Sequence, residues 1–162
     1  MYAIMISYSL VQSAGTVSGG TNVLSRSGIH AIRALVALTN LPRGEFKGAA
    51  ALAEETAAPP NYLGKLLQTL SREGLVKSQK GLGGGFRLAR PAEQISMYDI
   101  VHALEDTNRW NRCVFGTECT KEEPCAVHDH WVEIRESYME MLQSTRLVDL
   151  LPTELHRGVT PP

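Results

Sequence analysis

Cysteine is nearly absent from this chain: three occur among 162 residues, at positions 113, 119 and 125. An odd number of thiols does not close into a disulfide framework, and free thiolates suit a reducing compartment. Long apolar runs are missing as well. Nothing approaches the roughly 18 consecutive residues that a helical membrane span requires. The first eleven or so residues are apolar, but no Lys or Arg precedes Arg26. A secretory leader would begin with basic residues, so the expectation is a cytoplasmic protein. Also lacking are paired carboxylates placed for acid–base work, a nucleophile beside a base, and a phosphate loop. The glycine run KGLGGG is not followed by GK[ST] and opens onto a strand pattern. These absences argue against an enzyme and against a small-molecule substrate.

Net charge is small, at −1, but it is unevenly spread. From Pro59 to Arg90 there are six Lys or Arg against one Glu, and from Asp99 to Glu140 ten acids against four bases. A basic block beside an acidic one points to a polyanionic partner for the first half.

The segment LSRSGIHAIRALVALTN places Leu24, Ile29, Ile32, Leu35, Val36 and Leu38 mostly at helical steps, with Pro42 and Gly44 after it. Ala50 to Glu55 reads as a short helix, broken at Pro59-Pro60. Pro60 suits the first position of the next helix, whose apolar face is Tyr62, Leu63, Leu66, Leu67 and Leu70, with Gly74 as its stop. Two short helices with a tight break outline a helix-turn-helix, and VKSQ-KGLGGG-FRLA adds a hairpin. The expected fold is therefore mainly α with a small β-hairpin wing. Beyond it, Ser96 and Asp99 are spaced as a capping box. From Ala126, Trp131, Ile134, Tyr138, Met141, Thr145 and Val148 predict one long amphipathic helix suited to a dimer interface. The domain reading is a flexible extension (1–23), a winged helix-turn-helix (24–90), a cysteine loop with a dimerisation helix (91–150) and a flexible tail (151–162).

The cysteines form C-x5-C-x5-C-x2-H, ending at His128. Three thiolates and an imidazole can hold a metal. Zinc sites usually bring ligands in pairs two to four residues apart. The wider gaps fit an iron–sulfur core better, with zinc and a metal-free thiol switch as the alternatives. Opposite the leucine face, Asn61, Gly64, Lys65, Gln68 and Arg72 offer amides and cations suited to base edges and phosphates, while Lys80 leads the wing turn. His30 reads as an ordinary helix residue rather than a ligand.

Taken together, NYLGKLLQTLSREGLVKSQKGLGGGFRLAR, the cysteine spacing and the long helix resemble the family of dimeric winged-helix regulators that includes IscR, NsrR, RirA and CymR. The resemblance covers about Leu24 to Leu150. It implies that Cys113, Cys119 and Cys125 ligate an iron–sulfur cluster and that His128 is the fourth ligand. That set favours a 2Fe–2S centre over a 4Fe–4S one. It also implies a homodimer on a double-stranded DNA operator, with Ser25, Arg26, Tyr62 and Gly83 joining Asn61, Lys65, Gln68 and Lys80 at the DNA. Two departures are visible. Ile29 stands where members similar to NsrR carry an acidic ligand, and Gly64 stands where IscR-like members carry a glutamate.

Overall fold

Ser25 opens the first helix by accepting the Gly28 N–H on its hydroxyl at 3.0 Å, which satisfies one of the amides a helix start leaves free. In the computed structural model, residues 23–116, 119–120 and 122–151 are described. The expected extension and tail lie outside them, apart from Val23 and Leu151. The helix, α1 (Arg26–Thr39), buries Ala31, Ala34, Leu35, Ala37 and Leu38 along one face. Its small residues let two further helices pack closely against it.

These are α2 (Ala49–Glu55) and α3 (Pro60–Arg72). Leu63, Leu66, Leu67 and Leu70 of α3 are all buried, at the i, i+3, i+4, i+7 spacing the sequence shows. Each such leucine contributes about 1.5–3 kcal/mol through burial. The turn joining the two helices is sharp because Ala57 is left-handed, with φ +51°, so that Ala58 N–H can reach Ala53 O at 2.9 Å. Helix α3 ends in a Schellman arrangement: Leu75 N–H bonds Leu70 O at 2.9 Å and Gly74 N–H bonds Ser71 O at 3.2 Å, with Gly74 at φ +71°.

Next come β1 (Val76–Gln79) and β2 (Gly85–Leu88), paired antiparallel with Val76 opposite Leu88 and Gln79 opposite Gly85. Lys47 bridges to the other edge of β2 through reciprocal 2.9 Å bonds with Phe86. A Cβ on Gly85 would fall 2.3 Å from Lys47 O, so only glycine permits that approach. Helix, turn, helix and hairpin make a winged helix-turn-helix, as expected.

The capping box forms at α4 (Met97–His102): Ser96 N–H bonds the Asp99 carboxylate at 2.9 Å and Asp99 N–H bonds the Ser96 hydroxyl at 3.1 Å. A 3₁₀ turn over Thr107–Asn111 lies within the stretch read as loop. The long helix, α5 (His128–Ser144), is shorter than expected. Thr145 and Val148 do not continue it, because the backbone there is engaged elsewhere: Met97 N–H bonds Thr145 O at 2.9 Å and Leu147 N–H bonds Ile95 O at 2.8 Å. Leu147 is then fully buried in the main core, in a 3₁₀ turn over Leu147–Leu150. The buried anchor of α5 is Leu142, packed with Met97 and Val101, while Ile134 and Met141 stand exposed.

The strained turn yields a stability prediction. A β-branched side chain tolerates φ +51° poorly, so Ala57→Val should cost about 1–3 kcal/mol. Ala57→Gly should stay within about 1 kcal/mol of the parent. Urea melts that rank the two variants the other way would show that this turn does not set the cost.

Candidate metal centre and nucleic-acid interface

Cys125 lies just ahead of α5 and His128 is its first residue, with His128 N–H bonding Cys125 O at 3.0 Å. Cys113 follows the 3₁₀ turn, and Gly116 N–H folds back on Cys113 O at 2.9 Å. This local folding brings the predicted donors together. The three sulfurs lie within 4.8 Å of one another, with Cys113 Sγ and Cys125 Sγ 3.8 Å apart. Cys119 Sγ lies 3.0 Å from His128 Nδ1 and accepts the Cys125 N–H at 3.3 Å. All four residues are half-buried. They line a cavity of about 30 Å³, whose walls include Arg112, Trp131 and Arg135. On its outer side a wider cleft of about 710 Å³ carries Asp129, Glu133 and Glu136.

The donor set is soft and suits zinc or an iron–sulfur core. Two thiolates on one tetrahedral ion at about 2.3 Å stand about 3.8 Å apart, which matches the Cys113–Cys125 pair. The Cys119 thiol is pulled down by the Cys125 N–H bond but, on balance, pushed up by burial and by the neighbouring Cys125 and Cys113 sulfurs. Like charges resist ionising together, and a cation among them removes that resistance. The N-terminus of α5 and the two arginines favour the same anionic state.

On α3, Asn61, Lys65, Gln68 and Arg72 are exposed on the side away from the leucines. Nothing lies within 4 Å of where a Gly64 Cβ would stand, so packing within the chain does not explain that glycine. Lys80 and Gly83 are exposed at the wing tip, on either side of a fully exposed Leu82. Arg26 is exposed at the start of α1. Two other residues expected at DNA are engaged within the chain. The Ser25 hydroxyl donates to Glu105, and the Tyr62 hydroxyl lies 2.5 Å from Ser27 Oγ.

The model of one protein family matches residues 24–153, under the description iron-dependent transcriptional regulator, Rrf2. The chain belongs to the Rrf2 family. A relative in Neisseria meningitidis serogroup A, named as an HTH-type transcriptional regulator, is 33% identical over 129 residues, spanning 79% of this chain and 86% of that protein. Another in Aquifex aeolicus, named in the same way, is 30% identical over 126 residues, 75% and 88% of the two chains. Among solved structures, CymR, the global cysteine regulator of B. subtilis, superposes with a TM-score of 0.65 at 28% identity, covering 78% of this chain and 94% of CymR. T. potens IscR also gives 0.65, at 25% identity, covering 80% and 86%. The winged helix is thus shared with both of these regulators. Among the described residues, no helix is long and apolar enough to cross a membrane.

Sequence reasoning passed over Glu105, Arg109 and Trp110, the last of which stacks on Trp131 in the cavity wall. Arg109 pairs with Glu105 at 2.7 Å and its guanidinium lies 4.9 Å from the Trp110 ring centroid. The four-residue spacing of Glu105 and Arg109 was the one available signal.

His30 gives a pH prediction. Its Nδ1 is buried without a hydrogen-bond partner, and its ring meets Tyr62 edge-on at 6.1 Å. Burial first, then Arg33 and Arg26, holds its pKa below the ordinary 6.5. The unfolded chain therefore takes up this proton at higher pH than the folded one. The stability contributed by the neutral ring is complete above 6.5 and is lost as pH falls through the folded pKa. Urea melts at about pH 7.5 and 5.5 should show a smaller acid loss for His30→Gln than for the parent; equal losses would refute this assignment.

Proposed function

We propose that this Rrf2 protein is a homodimeric transcriptional regulator whose affinity for a double-stranded DNA operator is set by an iron–sulfur cluster on Cys113, Cys119, Cys125 and His128. The observation that carries the reading is the convergence of all four soft donors at the N-terminal end of α5, in a chain without other cysteines. An imidazole among the ligands favours a 2Fe–2S centre over a 4Fe–4S one. Bound there, the cluster would supply a link that responds to iron, cluster supply, oxidation or nitric oxide.

Residues 24–90 act as the DNA-binding region in this reading. Asn61 and Gln68 face base edges in the major groove, Lys65 and Arg26 hold phosphates, and the wing brings Lys80 and Gly83 to the minor groove. Ser25 and Tyr62 place the ends of α1 and α3 against the backbone. The open space at Gly64 lets DNA approach the helix closely. Residues 91–150 hold the centre and the dimer contact, for which Ile134 and Met141 supply exposed apolar surface on α5. Two reading heads then fall in successive major grooves, about 34 Å apart. Control of DNA binding requires the cluster-bound and cluster-free dimers to differ in operator affinity.

A second reading has its own support. The 3.8 Å sulfur pair suits a single zinc ion or a thiol switch, and CymR of Staphylococcus aureus, 28% identical with a TM-score of 0.64, is solved in an oxidised form. Protein purified without oxygen decides between them. Brown protein with iron and sulfide in equal amounts, lost in Cys119→Ala, supports the cluster. Colourless protein that holds zinc, or that takes up no metal on anaerobic reconstitution, transfers the reading to the alternative.

DNA binding has a separate check. Lys65→Ala and Lys80→Ala should each weaken binding across sequences and reduce the slope of log affinity against log salt by about 1. Unchanged slopes would remove both residues from the interface.

A further inference from the structure

A continuous set of contacts leads from the cysteine loop to α3, and its central member is a buried acid. The Glu105 side chain is only 7% exposed. It accepts the Ser25 hydroxyl proton and the Arg109 guanidinium. A buried carboxylate is costly without such partners, so anything that moves Arg109 is felt at Ser25. Gly28 makes room for the acid: a Cβ there would stand 3.1 Å from Glu105 Oε1. This accounts for a glycine inside α1, where it otherwise costs about 1 kcal/mol relative to alanine.

Toward the cysteines, Arg109 lies over Trp110, and Trp110 stacks on Trp131 with ring centroids 6.5 Å apart. Trp131 donates its indole N–H to Arg112 O at 2.9 Å, on the residue that immediately precedes Cys113. Tyr138 closes the aromatic group against Trp110 at 4.7 Å. Toward the DNA-binding half, Ser25 caps α1 through Gly28 N–H, and two residues along Ser27 Oγ meets the Tyr62 hydroxyl of α3 at 2.5 Å.

We infer that Glu105 is the positioning residue that couples the cysteine centre to the recognition helix, through Arg109 and the two tryptophans on one side and Ser25, Ser27 and Tyr62 on the other. The inference rests on the reading that the centre controls operator affinity. When the cysteines hold their loop, the Arg112 carbonyl is fixed and Arg109 stays on Glu105. When the loop is released, Arg109 is free to leave. Glu105 then keeps only the Ser25 hydroxyl, and the start of α1 shifts to meet the changed charge. Because Ser27 is bonded to Tyr62, that shift alters how α3 presents Asn61, Lys65 and Gln68. The device needs only two arrangements of the Glu105–Arg109 ion pair, buried at the acid and open at the base.

The test uses the full-length dimer, reconstituted with iron and sulfide or left without them. Operator affinity is read by fluorescence anisotropy in both states for the parent, Glu105→Gln and Ser27→Ala. Glutamine keeps an acceptor for Ser25 but removes the ion pair with Arg109. It should take up as much iron and sulfide as the parent, while the ratio of loaded to unloaded affinity falls from about 10-fold or more to within about 3-fold of unity. Ser27→Ala, a milder change, should lower the same ratio by several-fold. Parent-like ratios in both variants, with the parent itself switching, overturn the coupling and leave the sensor reading intact. A parent whose affinity ignores loading overturns the sensor reading and the coupling with it.

Discussion

Helix α3 has to satisfy two environments at once, and the rest of the molecule is arranged around that demand. Four leucines on one side are buried against α1 and α2, while the amides and cations on the other side face solvent. Neither side can be improved freely. More apolar surface would cost the exposed face its solvation, and more charge would loosen the core that fixes the helix angle. The Ala57 turn, the Schellman ending at Gly74 and the Lys47 bridge to the wing all act on the same problem. The first two fix where this helix starts and stops, and the third ties the wing to the segment before α2.

The cysteine centre follows a different logic. Three half-buried thiols within 4.8 Å form an unfavourable arrangement when ionised. The fold offsets this in part with the start of α5 and with Arg112 and Arg135. Three thiols this close favour states in which at most one is ionised, unless a cation stands among them. That constraint comes from electrostatics rather than from any moving domain.

Much of the fold was legible in the chain because the signals were local. The leucine period, Pro60 at a helix start, Gly74 at a helix end and the Ser96–Asp99 box each depend on residues a few positions apart, and each formed where expected. The cysteine spacing was equally local, and the donors do converge. What escaped reading depends on distant partners. The end of α5 is decided by bonds from residues 145 and 147 to 97 and 95, which override a helical pattern that runs on through Val148. Glu105 reads as one more surface acid until Ser25, eighty positions earlier, is seen donating to it. The polar face of α3 was legible as a row of amides and cations, because its helical spacing is local.

The return of the chain after Ser144 has a mechanical consequence. Bonds from Thr145 and Leu147 to the entry of α4, together with buried Leu142 and Leu147, clamp the C-terminal end of α5 to the body. Its other end carries His128 and adjoins Cys125. At 1.5 Å per residue, seventeen residues make a rod of about 25 Å. Its far end is fixed in the main core, and its first turn is held more lightly, by Trp131 on Arg112 and Trp110. A tilt of about 5° at the clamp moves the first turn by about 2 Å. Such an element converts a displacement at its start into a change of angle at its root, and the root rests on the same core that carries α1.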